Sequence, residues 1–112
     1  MTKNVFTSGK IAVITGAALG IGRAASTAFA SKGMKLCMVD LASDDFDAAV
    51  AHVKAAAGSP DDIMAFQGDV ADPSQMGKLK EAVYARFEGV DVLMNNAVTR
   101  VGAGFWDDLS DW

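Results

Sequence analysis

Cysteine is nearly absent from this sequence, which has a single one, Cys37, in an apolar run of its 112 residues. One cysteine excludes an intrachain disulfide framework and a metal site built from several thiolates. We interpret Cys37 as a buried and unreactive thiol, because reactive cysteines lie in partly exposed, electropositive surroundings. The sequence predicts no metal site.

Positive charge is also scarce, since 10 Lys and Arg stand against 14 Asp and Glu, for a net charge of −4 without a basic cluster. This balance argues against nucleic-acid binding. No apolar run approaches the roughly 20 residues that a membrane span needs. The apolar stretch after Lys10 is interrupted by glycines and by Arg23, unlike the core of a secretory signal. We therefore predict a cytoplasmic protein without membrane contact.

Short apolar runs alternate with amphipathic stretches from residue 11 onward. The runs predict buried strands and the stretches predict helices. The strands are expected at 11–15, 34–39, 63–67 and 90–94. This alternation is typical of α/β proteins in which helices cover both faces of a parallel sheet. With right-handed crossovers, it predicts the first half of a Rossmann-like doubly wound sheet, β-α-β-α-β-α-β, with strand order 3-2-1-4.

The helix boundaries carry recognisable signals. The first helix is expected to begin at Gly20 and to end before Gly33, a suitable left-handed residue. Ser43 is a candidate N-cap for the second helix, and Asp72 for the third, with Gln75 completing a capping box. The apolar face of the first helix is predicted to comprise Ile21, Ala24, Ala25, Ala28 and Phe29.

A glycine-rich segment, TGAALGIG, joins the first strand to the first helix at Thr15 to Gly22. Without side chains, backbone N–H groups can approach an anion, and the helix N-terminus adds partial positive charge. Gly16 can form the turn, Gly20 can open the cradle, and Gly22 can let the helix pack close to the strand. A tight connection without a ligand is the alternative, since glycine patterns alone are weak signals.

A carboxylate, Asp40, lies at the end of the second strand, 18 residues beyond Gly22. A carboxylate there can accept both hydroxyls of an adenosine ribose, and it would repel a 2′-phosphate. Neither Ala17, Ala18 nor Leu41 offers a compensating positive charge. This favours NAD over NADP, the alternative being an ordinary solvated loop acid.

Two further motifs follow the third and fourth strands: GDV at Gly68 to Val70, and NNA at Asn95 to Ala97. Together with TGAALGIG, they make the chain similar to the short-chain dehydrogenase/reductase family, whose motifs T-G-x-x-x-G-x-G and N-N-A-G occur in this order. The resemblance covers nearly the whole chain. It implies one dinucleotide-binding Rossmann domain over residues 1–112.

The resemblance also implies a set of cofactor-binding residues: Gly16, Leu19, Gly20, Ile21, Gly22, Asp40, Asp69, Val70, Asn96 and Ala97. Asp69 would accept from the adenine amino group beside the Val70 backbone. Asn95 would be structural, tying the fourth strand to its neighbours through Thr15. One departure is Val98, where the family usually has glycine and where a branched side chain would narrow the approach to the cofactor.

The implied activity is NAD(P)-dependent interconversion of an alcohol and a carbonyl by hydride transfer. The family's catalytic Ser and its Tyr-x-x-x-Lys motif belong to a second half of the domain that this sequence does not include. The only tyrosine, Tyr84, is followed four residues later by Glu88 instead of lysine, and a glutamate would not lower a tyrosine pKa. His52 is expected to be solvated. We therefore predict no catalytic residue, an inactive chain and truncation before the catalytic half, since Ser110 to Trp112 resembles the start of a helix.

Two other functions stay open at this stage. One is a non-catalytic dinucleotide-binding or sensing module. The other is an S-adenosylmethionine-dependent methyltransferase, against which the glycine spacing and the Asn95–Asn96 pair argue. The apolar fourth strand would form an exposed edge in this chain, which predicts marginal stability or self-association. The complete enzyme is expected to be a homo-oligomer that acts on a small alcohol or carbonyl compound.

Overall fold

The computed structural model describes residues 6–96. The described residues form four strands, β1 (Ile11–Thr15), β2 (Lys35–Asp40), β3 (Ile63–Gln67) and β4 (Val92–Asn95), and three helices, α1 (Gly20–Ser31), α2 (Asp44–Ala56) and α3 (Pro73–Phe87), with a 3-10 turn at Pro60–Asp62. The strands are parallel and follow the order β3-β2-β1-β4. The predicted Rossmann-like topology is confirmed.

Both faces of the sheet are covered by helices. Successive side chains of a strand point to opposite faces, so Ile14 of β1 joins one buried cluster and Val13 joins the other. Phe46 of α2 fills the first cluster, and Leu79 of α3 fills the second. Parallel strands buried on both sides read as continuous apolar runs, which is why the sequence located them well.

The predicted bounds of two strands shift slightly. The prediction for β2 was 34–39, and the prediction for β4 was 90–94, one or two residues too early. At the start of β4, the backbone N–H of Asp91 donates to Ile11 O at 2.8 Å, while the Ile11 N–H donates to the Asp91 carboxylate at 2.9 Å. A side chain thus takes the place of a backbone acceptor, so the regular ladder begins only at Val92.

The predicted apolar face of α1 is wrong for most of its residues, although Phe29 packs against the first cluster as predicted. The buried residues of this helix are Gly22, Ser26 and Ala30, whereas Ile21 is 69% exposed and Ala24 is also exposed. Small residues four positions apart lie on one side of a helix and let it approach the sheet closely. Burial of Ser26 leaves no unsatisfied hydroxyl, because its Oγ donates to Gly22 O at 2.8 Å. Size, rather than hydrophobicity, selects this face.

The predicted helix ends are confirmed. The Ser43 hydroxyl accepts from Phe46 N at 3.0 Å, and the Asp72 carboxylate accepts from Ser74 N at 2.9 Å. Gly33 follows α1 with a φ of +82°, a conformation that glycine adopts without strain. These signals act within a few residues, so they can be read from the sequence alone.

Candidate functional site

The candidate site lies along the edge where the parallel strands end. Thr15, Asp40, Gln67 and Asn95 are the last residues of β1 to β4. From β1 the chain continues to β2 on one side, whereas β4 pairs with β1 on the other side. The connections therefore leave a crevice between β1 and β4, which is where open α/β sheets bind ligands.

The glycine-rich turn occupies this crevice. Gly16 and Gly20 have φ values of +65° and +58°, in the left-handed region that favours glycine. A Cβ on Gly20 would meet no atom within 4 Å, so the turn faces open space at this point. The sequence analysis predicted that Gly16 forms the turn and that Gly20 opens the anion-binding loop. Both residues have the left-handed backbone that glycine adopts without strain.

The N-terminus of α1 has free donors. Leu19 is the N-cap residue, its backbone is extended, and no side chain within residues 6–96 caps the helix. The first N–H groups of a helix have no acceptor within the helix itself. Such a terminus, behind a glycine turn, can bind an anion.

Gly22 brings α1 against the turn. A Cβ at this position would lie 2.2 Å from Gly16 O and 2.8 Å from Asn96 Nδ2. No side chain fits at these distances, so glycine is required for close packing rather than for an unusual backbone angle. This is the packing role that the sequence analysis gave to Gly22.

Asp40 contacts the turn directly. Its Oδ2 accepts from Ala18 N at 2.9 Å, and its Oδ1 accepts from Leu41 N at 2.8 Å. The neighbouring Ala17 N donates to Val39 O at 3.2 Å. The end of β2 therefore holds the first half of the turn. The sequence analysis considered Asp40 as a ligand-binding or a solvated loop acid, and the bond to Ala18 was missed because the two residues lie on different elements.

The loop after β3 approaches the same place. Gly68 N donates to Asp40 O at 3.0 Å. Asp69 is exposed, and its Oδ1 accepts from Ala71 N at 2.9 Å, while half-buried Val70 packs against the cluster under α3. The loop that carries Asp69 and Val70 therefore begins beside Asp40.

Gln75 departs from the predicted capping box. Its Oε1 accepts from Asp69 N at 2.7 Å rather than from the N-cap residue, and its Nε2 donates to the Asp72 carboxylate at 3.0 Å. Asp72 N donates instead to Asp69 O at 3.1 Å. The loop after β3 folds back over the helix start, so Gln75 supports the loop that carries Asp69.

Thr15 was not predicted as a cofactor-binding residue, and its hydroxyl joins β1 to the end of β4. Asn96 N donates to Thr15 Oγ1 at 3.1 Å, and Thr15 Oγ1 donates to Met94 O at 3.4 Å. The Asn96 side chain donates from Nδ2 to Gly16 O at 3.2 Å. Asn96 N and Met94 O thus both contact the Thr15 hydroxyl. Asn95 pairs with Thr15 in the strand register, and its buried Oδ1 has no partner among residues 6–96.

Exposed apolar side chains flank the crevice. Leu19, Ile21 and Leu41 are 58%, 69% and 58% exposed. All three adjoin groups already placed in the site, namely the turn and Asp40. Leu41 was not predicted as a site residue, although a large apolar side chain directly after a strand-ending carboxylate is an unusual loop residue and could have marked it.

Reactive groups elsewhere lie apart from this edge. Burial raises the pKa of the Cys37 thiol to about 12, which keeps it protonated and unreactive. Tyr84 lies 11 residues into α3, about 16 Å along the helix axis from Pro73, so it is near the opposite edge of the sheet. His52 is exposed on α2. Ala97, Val98 and the residues from Ser110 to Trp112 lie outside the described residues.

The described part of the chain has neither a cluster of metal-ligating side chains nor a membrane-spanning helix. Between residues 6 and 96, no three His, Cys, Asp or Glu side chains cluster in a way that could hold a metal ion. Over the same range, every helix is too short or too polar to cross a membrane.

Comparison with known proteins identifies the family to which this fold belongs. The family model described as short chain dehydrogenase matches residues 10–111. The chain belongs to the short-chain dehydrogenase family. This membership argues against the methyltransferase alternative, and it agrees with the resemblance carried by the three sequence motifs.

Three members of the family illustrate the similarity. D-threitol dehydrogenase of Mycolicibacterium smegmatis is 37% identical over 105 residues, which cover 93% of this chain and 39% of the relative. L-sorbose reductase from Gluconobacter frateurii, solved with NADPH and L-sorbose, has a TM-score of 0.75 and 33% identity over 91% of this chain and 40% of that one. A short chain dehydrogenase/reductase from Burkholderia phymatum, solved with NAD, has a TM-score of 0.72 and 34% identity over 81% and 31%. The chain thus spans about two fifths of the first two proteins.

Proposed function

We propose that this chain binds the adenosine and pyrophosphate part of NAD for an oxidoreductase that interconverts an alcohol and a carbonyl. The observation that carries the proposal is the uncapped start of α1, which opens behind the left-handed Gly16 and Gly20 and beside the carboxylate of Asp40. When bound, the nicotinamide cofactor supplies or accepts the hydride. The chain's own residues hold and orient it.

The residues present fit such a cofactor. The open space at Gly20 and the free N–H groups at the start of α1 suit a pyrophosphate, so we assign it to the backbone from Leu19 to Gly22. The adjoining ends of β2 and β3 would hold the adenosine, with Asp40 at the ribose and with Asp69 and Val70 at the adenine. Asn96, beside Gly16, and the following Ala97 of the sequence would line the cofactor.

The preference for NAD over NADP rests on charge. The Asp40 carboxylate would repel a 2′-phosphate in a partly desolvated site. Its contact at the turn, Ala18, and its neighbour Leu41 are uncharged. One related structure was solved with NADPH and another with NAD. The choice in this protein therefore depends on its own residues.

We infer that the 112 residues alone do not turn over substrate, because they contain no Tyr-x-x-x-Lys. The same absence favours a second candidate, a non-catalytic dinucleotide-binding module. The coding sequence beyond Trp112 separates the two, since a downstream Tyr-x-x-x-Lys supports the enzyme. A cytoplasmic location and a homo-oligomeric state remain predictions from the sequence.

Calorimetric titration with NADH and NADPH tests the cofactor assignment. We expect wild type to bind NADH more tightly than NADPH. Asp40→Ala should weaken NADH binding at least about tenfold, because the ribose hydroxyls lose their hydrogen bonds to a charged group. The ratio of the two affinities should fall toward one. Asp45→Ala removes an equal charge from an exposed position on α2 and serves as the control. An unchanged NADH affinity in Asp40→Ala would refute the ribose assignment.

A further inference from the structure

Asp40 makes a contact that ligand binding alone does not require. Its Oδ2 accepts the backbone N–H of Ala18 at 2.9 Å, across 22 residues of sequence. This bond joins the end of β2 to the middle of the glycine-rich turn. Its other oxygen accepts from Leu41 N at 2.8 Å, so both oxygens of the carboxylate are oriented by backbone donors.

The turn depends on few such attachments. Glycine loses more conformational freedom on folding than other residues do, so a turn built on Gly16 and Gly20 is costly to order. On the β4 side, Asn96 Nδ2 donates to Gly16 O at 3.2 Å. On the β2 side, the only side chain that contacts a turn amide within residues 6–96 is Asp40. A hydrogen bond to a charged group is shorter and stronger than a neutral one.

We propose that Asp40 is a positioning residue for the glycine-rich turn, acting through the Ala18 amide, in addition to its contact with ribose. The proposal rests on the proposed function. An ionised carboxylate offers about four lone-pair sites, so two amide bonds leave room for two ribose hydroxyls. One side chain would then couple the adenosine end of the site to the pyrophosphate cradle, and its loss would weaken both.

A pair of ligands separates the two roles. ADP carries the diphosphate and the ribose hydroxyls, whereas 2′,3′-dideoxy-ADP carries the diphosphate without the hydroxyls. If Asp40 served ribose alone, Asp40→Ala would leave dideoxy-ADP binding unchanged, or tighten it by removing a negative charge. If Asp40 also positions the turn, the same substitution weakens dideoxy-ADP binding by up to about fivefold, because the ligand must then order a turn that has lost one hydrogen bond. Only the positioning role therefore predicts weaker binding of dideoxy-ADP.

Hydrogen–deuterium exchange of the unliganded protein gives a readout without any cofactor. In the protein at its full natural length, we expect peptides covering residues 15–23 to exchange faster in Asp40→Ala than in wild type. Asp40→Asn retains a carbonyl oxygen for Ala18 N and should restore both slow exchange and dideoxy-ADP binding. Asp45→Asn removes one exposed acidic charge whose side chain has no hydrogen bond to the turn among residues 6–96, and it should change neither.

The outcomes are distinct. Faster exchange at residues 15–23 with weaker dideoxy-ADP binding supports the positioning role. Unchanged exchange with unchanged or tighter dideoxy-ADP binding overturns the positioning role. The ribose assignment survives this result if Asp40→Ala still binds ADP more weakly than wild type does. Failure of the wild-type protein to bind ADP or NADH overturns the proposed function instead. If Asp40→Ala does not fold, Asp40→Ser replaces it in both measurements. The serine side chain is too short for its hydroxyl to reach Ala18 N, so the bond is lost in this variant as well.

Discussion

The three helices begin at the same edge of the sheet but in two different ways. The first turns of α2 and α3 are capped by Ser43 and Asp72, whose side chains accept backbone N–H groups at 3.0 and 2.9 Å. At α1, the N-cap residue is Leu19, with no side-chain cap in the described part of the chain and no acidic residue in the first turn. Side chains thus accept the first N–H groups of α2 and α3, whereas no side chain among residues 6–96 does so at α1.

The difference shows how one of three helix N-termini at the same edge can be left without a side-chain cap from the described residues. A cap typically stabilises a helix by about 1 kcal/mol. The start of α1 forgoes this contribution and is held by Gly22 packing and by contacts from the ends of β2 and β4. Stability thus comes from tertiary contacts behind the turn, so that its front remains open.

The largest effect is expected from Gly22→Ala. The new methyl group would lie 2.2 Å from Gly16 O, so α1 must move away from the turn. We expect a loss of about 2–3 kcal/mol in the free energy of unfolding, and loss of NADH binding, measured by urea denaturation and calorimetry. Gly77→Ala is the matched control, because this helical glycine has open space around it and alanine should stabilise by about 0.5–1 kcal/mol. Equal stability of the two variants would contradict the packing role of Gly22.

Leu19→Asp would convert α1 into a helix of the capped kind. Leu19 already has the extended backbone of an N-cap residue, so aspartate should stabilise the protein by about 0.5–1 kcal/mol. The carboxylate would also occupy the anion site and should weaken NADH about tenfold. Leu19→Asn supplies a neutral cap and separates the effect of capping from that of charge. Undiminished NADH binding in Leu19→Asp would place the pyrophosphate elsewhere.

Ser43→Ala removes the cap of α2 and leaves the site intact. We expect a loss of about 1 kcal/mol in the free energy of unfolding, with NADH affinity unchanged. Thermal melting and calorimetry on one preparation measure both quantities. A fall in NADH affinity comparable to that of Leu19→Asp would mean that the helix starts are not independent.

The smallest effect concerns Asp72 and pH. Hydrogen bonds from Ser74 N and from the Gln75 side chain hold the pKa of Asp72 below its ordinary value of 3.8. A carboxyl whose pKa is lower in the folded state stabilises above its unfolded pKa, and this contribution is lost as pH falls through the folded value. Wild type should therefore lose stability relative to Asp72→Asn as pH falls below 3.8. Parallel stability curves for the two proteins over this range would exclude the effect.

The sequence predicted the local features well. Ser43, Asp72 and Gly33 act within a few residues of their own positions, and the buried parallel strands appear as apolar runs. The strand order followed from the rules of right-handed connection, and family resemblance strengthened the assignment of the turn.

Contacts between distant segments were the part that the sequence could not predict. The bond of Asp40 to Ala18, the contact of Asn96 with Thr15, and the buried side of α1 depend on how elements approach each other. Hydrophobicity placed Ile21 inside, but close packing at Gly22 put small residues there instead. The contacts of the site residues with a ligand depend on where the ligand binds, which the amino-acid sequence does not specify.

The bond between Asn96 and Gly16 also has a consequence for the order in which the protein folds. It joins residues 80 positions apart, whereas β1 and β2 pair across a separation of 24, as between Ile11 and Lys35. Contacts between distant residues form late because closing a long loop costs more entropy. The glycine-rich turn is thus synthesised early and can be held by β2, but its contact with Asn96 forms only when β4 docks. A ligand that requires the fastened turn would draw β4 into place by mass action, so binding and the last step of folding would be one equilibrium.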